Sequence, residues 1–271
     1  MNILKKLKRS IVFYHLSKGK IPLTLWHDAI KKMPMINRYS RHERVKLRVL
    51  ATQILRKKKF HPVQGMQLTD EIVVMLATQV AIVIYGLETP EKDLALDWIR
   101  NWHKIIIYPA AFRNGRENLI GYDGFLVSWA GVESGETSYQ GEIVIDWHDN
   151  RPHELQEHAN QVLMHELAHK LDMLDGYVNG HPPLHSKMSE TNWLIAFEDA
   201  YEQLNLQISH GKQTAINPYA ATSPAEFFAV ATEYFFEAPQ TLHKIYPKVY
   251  EQLVTFYRQN PLKLNDDFKI R

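Results

Sequence analysis

The chain has 271 residues, 45% of them hydrophobic and 23% charged, which is long enough to bury a substantial core and too apolar for a disordered polymer. It has no cysteine, which excludes disulfides, thiol nucleophiles and thiolate metal sites together; any metal must be held by His, Asp or Glu. Net charge is only +2, yet residues 1–60 hold 17 of the 32 Lys and Arg against 2 of the 30 Asp and Glu. Such asymmetry marks either a surface for an acidic partner or a basic segment packed beside an acidic body. The helical spacing of Leu47, Val49, Leu50, Ile54 and Leu55 favours the second.

In chain order, residues 1–18 read as a short helix or tail. Their apolar run, 11–16, is short, contains His15 and is followed by no small-residue cleavage site, so a signal peptide is not expected. Two amphipathic helices follow at 22–33 and 40–58. "EIVVMLATQVAIVIYG" (71–86) is the most apolar stretch, but it is shorter than the roughly 18 residues a membrane span needs and includes Thr78 and Gln79. Thr69 and Gly86 suit its N-cap and its C-terminal stop, so it reads as a buried helix. Residues 90–102 read as helix or turn.

The character then changes. "KIIIYPAAF" (104–112), "LIGYDGFLVSWAG" (119–131) and "GEIVIDW" (141–147) read as strands, and helices resume at 153–174, 189–205, 223–237 and 246–258. The expectation is an α+β, mostly helical fold with a small mixed sheet beside the helix at 153–174. Residues 1–60 are expected to form a basic helical segment packed on or flanking a core domain at 61–271. There is no repeat and no low-complexity tract. A cytoplasmic protein is expected, with no membrane association and no direct nucleic-acid binding, because the basic segment carries few aromatics to stack on bases.

The chemistry is concentrated in "VLMHELAHKLDMLDG" (162–176), where His165, Glu166 and His169 spell H-E-x-x-H. Four residues of helix turn through about 400°, so both imidazoles leave one face, one turn apart. That spacing lets two nitrogens reach one ion at roughly 2.1 Å. Glu166, about 100° round the helix, is placed to take a proton from water. An exposed histidine helix would carry charge at 167 and 168, where Leu and Ala stand. The expectation is one zinc per chain.

A catalytic zinc needs a third protein ligand and an open position. Asp175 lies ten residues after His165, but the midpoint is Asp172 rather than the glycine a chain reversal requires, and the apolar pattern continues through Leu174. The other candidate, Glu226, lies in "NPYAATSPAEFFAVATEYFFEAP" (217–239). Ser223 is its natural N-cap and Pro224 its first helical residue, so Glu226 also fits a capping box. Phe227, Phe228, Val230, Phe235 and Phe236 would bury this helix, and a buried carboxylate needs a cation or donors. Glu226 is therefore favoured. Glu233, two turns on, suits a residue that orients a ligand histidine. His181 and His185 read as loop residues rather than ligands.

These two segments together resemble the Mlc titration factor A family of bacterial zinc-dependent peptidases, whose catalytic core is similar to that of anthrax lethal factor. The resemblance covers most of the chain and is weakest in the first 60 residues. It implies a zincin-like fold with zinc ligands at His165, His169 and Glu226 and a general base at Glu166. It also implies an active-site tyrosine seven residues before the ligand glutamate, where Tyr219 stands. The sequence departs from the family at none of these five positions. By the same resemblance the activity is aminopeptidase-like hydrolysis of small peptides, and a partner is the Mlc transcriptional repressor of sugar uptake. A repressor-binding protein stabilised by metal, with secondary peptidase activity, is the competing reading.

Overall fold

A computed structural model describes residues 19–87, 95–109, 141–147 and 153–263, without the side chains of 146 and 153–161. The expected tail at 1–18 and strand at 119–131 lie outside these residues. Eight α-helices are present among them: α1 (Leu23–Lys31), α2 (Arg41–Lys57), α3 (Asp70–Ile84), α4 (His153–Asp172), α5 (Glu190–Ser209), α6 (Pro224–Glu237), α7 (Pro239–Ile245) and α8 (Pro247–Tyr257). Three strands, β1 (Lys59–Pro62), β2 (Lys104–Tyr108) and β3 (Ile143–Asp146), form one sheet in the order β1-β2-β3. Both pairings are parallel, with Lys59 opposite Lys104 and Ile105 opposite Ile143. The architecture is α+β and mostly helical.

Local chemistry sets the helix starts. Ser40 accepts the Glu43 amide while Glu43 accepts the Ser40 amide, a reciprocal cap that opens α2. Thr69 accepts the Ile72 amide at 3.2 Å to open α3. From Ile72 to Ile84 every residue of α3 is buried, so this helix is the central post of the core. It lies against α1, α2 and α4. Its two polar members do not disrupt it; the Thr78 hydroxyl, for one, donates to the Val74 carbonyl at 2.6 Å. The stretch 90–102, read as helix or turn, holds in its described part a 3-10 turn at Ala95–Ile99.

One buried cluster runs from Ile21 to Tyr257 and includes Trp26, Leu47 and Ile54 of the basic segment. Several cations of that segment are bonded to backbone carbonyls. Arg38 donates to the Phe236 and Glu237 carbonyls that end α6. Arg44 donates to Tyr39, Arg48 to Ile21, and the buried Lys58 ammonium to Ile99 and Trp102. Lys58 also stands over the Trp102 ring, 4.2 Å from its centre. Burial, then the neighbouring Lys57, lowers its pKa to about 8. Part of the charge asymmetry is thus used to terminate helices and anchor the start of β2.

No helix among the described residues is long and apolar enough to cross a membrane. The end of α3 meets the end of α8 closely: a Cβ on Gly86 would lie 2.1 Å from the Tyr257 carbonyl oxygen. Backbone on both sides leaves no flexible atom to give way. Gly86→Ala should therefore destabilise the fold by about 1–3 kcal/mol, read as a lower midpoint in urea with the slope unchanged. A loss below about 0.3 kcal/mol would show that the two chain ends are not held at this distance.

Candidate metal centre

Helix α4 carries the H-E-x-x-H residues directly after β3, against which it packs. From Leu163 to Met173 every residue is buried except Glu166, which is half-buried. His165 and His169 are 4% and 2% exposed. Their rings lie 4.7 Å apart, and their Nε2 atoms are 3.0 Å apart.

Helix α6 crosses α4 and brings Glu226 to the pair. Ser223 accepts the Glu226 amide at 3.2 Å, as an N-cap does, but the carboxylate does not stay at the helix end. Its Oε2 sits 2.9 Å from His165 Nε2 and 3.3 Å from His169 Nε2. Among the described residues, no hydrogen bond of acceptable angle meets that oxygen. On the far side of His165, Nδ1 lies 2.5 Å from Glu233 Oε1. That contact places a proton on Nδ1 and turns the Nε2 lone pair toward Glu226.

Three ligand atoms thus face one point: two imidazole nitrogens and a carboxylate oxygen, from side chains that are all buried. Ligands at roughly 2.1 Å in a tetrahedron stand about 3.4 Å apart. The observed separations of 2.9, 3.0 and 3.3 Å approach that value. Lone pairs crowded in a dry site repel one another without a cation, so the donor set fits a divalent metal.

Electrostatics support the same reading. Burial alone would make His165 less basic, but its contacts with Glu226 and Glu233 and the charge of Glu166 outweigh burial and raise its pKa. Burial would likewise raise the Glu226 pKa, and the two histidines more than reverse it, holding the carboxyl ionised. Glu166, the half-buried residue of this stretch, acts electrostatically on His165, Lys170 and Tyr219.

Tyr219 lies in the turn Pro218–Ala221 that leads into α6, where the Asn217 side chain accepts its amide at 2.9 Å. Its ring is 6.2 Å from that of His165. Burial first, then the charge of Glu226 and a hydrogen bond to it, push the phenol well above its ordinary pKa. It remains a proton donor at any physiological pH.

The other sequence candidates fall elsewhere. After α4 a 3-10 turn, Met173–Asp175, ends at Gly176 with φ 107°, and the exposed Asp175 accepts the Tyr177 amide. His185 is buried, with Nε2 2.6 Å from the Phe256 carbonyl, and His181 packs on Trp193. Neither belongs to the centre. Sequence reasoning passed over Asp172, which is fully buried one turn beyond His169. The available signal was a carboxylate on the same helix face as both histidines.

This fold and donor set fit a helical metallopeptidase. A family model for the glucose-regulated metallo-peptidase M90 matches residues 4–258. Mlc titration factor A of Yersinia pestis (strain Pestoides F) is 34% identical over 247 residues, which cover 89% of this chain and 86% of that protein. The protein of the same name from Yersinia pseudotuberculosis (serotype O:1b, strain IP 31758) gives the same values. The chain belongs to the M90 metallopeptidase family.

The choice between Glu226 and Asp175 is open to direct measurement. Glu226→Ala should reduce bound metal far below one equivalent, as His165→Ala should, whereas Asp175→Ala should leave it unchanged. Elemental analysis of the purified variants reads this, and metal lost only in Asp175→Ala would reverse the assignment.

Proposed function

We propose that the protein is a zinc-dependent, aminopeptidase-like enzyme with one zinc per chain, held by His165, His169 and Glu226. The observation that carries this reading is the convergence of the two Nε2 atoms and Oε2 in a buried site bordered by Glu166 and Tyr219. Two histidines and one carboxylate leave a coordination position open, the arrangement of hydrolytic rather than structural zinc. Bound there, zinc supplies Lewis acidity, lowering the pKa of a water to about 7 and polarising the scissile carbonyl.

The protein's own groups do the rest. Glu166 is the one half-exposed residue on the buried stretch of α4, so it can meet both solvent and substrate. It removes the proton from the attacking water as the C–O bond forms, then delivers that proton to the leaving amine as the C–N bond breaks. Tyr219, kept protonated, donates to the oxyanion that develops on the carbonyl. Glu233 holds His165 in the tautomer that presents Nε2.

The work is cytoplasmic in this proposal, which accords with a chain free of cysteine. A regulatory role, through binding a Mlc repressor, is supported by the name its relatives bear, Mlc titration factor A. If capture of a repressor were the whole function, loss of hydrolysis would leave partner affinity intact and biological activity unchanged.

Glu166→Gln separates these readings. It should lower turnover of a chromogenic peptide by about 100-fold or more while metal content stays at one equivalent. Turnover near that of the parent would remove Glu166 from the mechanism. Tyr219→Phe deletes one hydroxyl and little volume, so zinc content and melting temperature should hold while turnover falls about 100- to 1,000-fold. A loss of less than about threefold, under about 0.7 kcal/mol in barrier, would assign the tyrosine to packing instead.

A further inference from the structure

The residue after which α4 gives way to a 3-10 turn, Asp172, is 0% exposed. Its Oδ2 accepts the amide of Gly180 at 2.8 Å, across eight residues of loop. The carboxylate is dehydrated, and burial is the main influence on it, raising its pKa to about 6. The amides of Gly180, His181 and Asn179 and the charge of His169 partly offset that rise. An ionisable group held in a dry core is costly unless it is bonded, so its retention calls for a physical account.

Gly180 supplies one. Its amide is given to Asp172 of α4, and its carbonyl accepts from the indole nitrogen of Trp193 on α5 at 3.3 Å. Its Cα abuts the first turn of α6: a Cβ there would lie 2.3 Å from the Pro224 carbonyl oxygen and 2.8 Å from the Pro224 carbon. With φ at +77°, the position also disfavours any side chain. Pro224 is two residues before Glu226. Trp193 in turn stacks on Phe197 at 4.2 Å and packs on Phe228 of α6. One loop residue therefore touches the histidine helix, the glutamate helix and the helix between them in sequence.

We propose that Asp172 and Gly180 are positioning residues: a clamp that fixes the start of α6 against α4 and so sets the distance from Glu226 to the histidine pair. The inference rests on the metal reading above. Metal ligands tolerate displacement of only about 0.2 Å, which a rigid backbone-to-backbone spacer can hold and a flexible side chain cannot. The clamp acts through the ligand geometry and touches neither substrate nor metal.

The test measures zinc affinity by chelator competition in the full-length chain, together with the melting temperature of the metal-free form and the visible spectrum of the cobalt(II)-loaded form. Gly180→Ala pushes α6 away, and Asp172→Ala cuts the tether without adding volume; each should weaken zinc binding at least tenfold and alter the cobalt spectrum. Asp172→Asn keeps an acceptor for the Gly180 amide and should stay within threefold of the parent. Leu47→Ala, a cavity in α2 remote from the clamp, should lower the melting temperature yet leave zinc affinity within threefold. If Gly180→Ala does not fold, the Asp172 pair carries the test, and Trp193→Phe removes the other bond to Gly180 while keeping a ring.

Zinc affinity unchanged in Asp172→Ala would overturn the clamp. So would an Asp172→Asn variant as weak as Asp172→Ala, which would make the charge beside His169 the operative feature. Equal loss in Leu47→Ala would reduce the effect to general loosening. A parent chain that binds no zinc would overturn the metal reading itself, a result distinct from all of these.

Discussion

Two imidazole nitrogens and a carboxylate oxygen from buried side chains are held within about a hydrogen-bond length of one another, and the rest of the structure is arranged around that constraint. Such a cluster is unfavourable by itself, because burial strips each group of solvent and leaves lone pairs facing lone pairs. In the absence of metal a proton shared among His165 and the glutamates relieves part of this. A divalent cation relieves all of it and competes for the same positions. The folded chain therefore has to offset the cost of burying these polar groups where α4 meets α6. Hydrophobic contact makes that possible: Leu163, Leu167 and Leu171 on α4 and Phe227, Phe228 and Phe235 on α6 are at most 1% exposed. At about 1.5–3 kcal/mol for each fully buried large side chain, they outweigh the cost of a few crowded polar atoms.

The neighbouring elements constrain the same two helices from outside. Helix α3 is buried along its length and backs α4, so α4 has little freedom to tilt. Arg38 binds the carbonyls at the far end of α6, where the helix dipole concentrates negative charge. Its donors come from the basic N-terminal segment, which ties that segment to the glutamate helix at the end opposite Glu226. The scaffold thus controls both ends of α6, one through a cation and the other through Ser223 and the loop at Gly180.

Legibility followed the range of each interaction. The histidine pair was readable because helical periodicity alone puts residues 165 and 169 on one face. The caps at Thr69 and Ser223 are local chemistry and stand where the sequence indicated. At Glu226 the sequence offered two roles, cap and ligand, as alternatives; in the structure the amide serves the cap and the carboxylate faces the histidines. What was not readable depended on distant partners. Strand β1, "KFHP", has a terminal proline and little β-branched character, and it exists because β2 lies alongside it. Helix α7 is a single short segment between Pro239 and Pro247, below the length at which periodicity is informative. The contact between Asp172 and Gly180 needs the loop to return across α4, which no spacing rule encodes. The sheet was expected to be mixed, whereas its described strands are all parallel, and the expected strand at 119–131 lies outside the described residues.

The basic segment shows why a charge count is a poor guide to partners. Arg38, Arg44, Arg48 and Lys58 are directed at backbone carbonyls within the fold, so their donors are engaged internally rather than presented to an outside partner. The outward side of α2 is different: Arg41, Lys46, Arg56 and Lys57 are exposed, and Val45 and Val49 stand 60% and 52% exposed among them. Exposed charges lose most of their mutual influence beyond about 8 Å at physiological salt, so this face acts only on something that comes into contact with it. It also belongs to a helix separated from α4 by α3. Capture of a partner at α2 and hydrolysis at α4 would then draw on different surfaces, and the two activities could be lost independently.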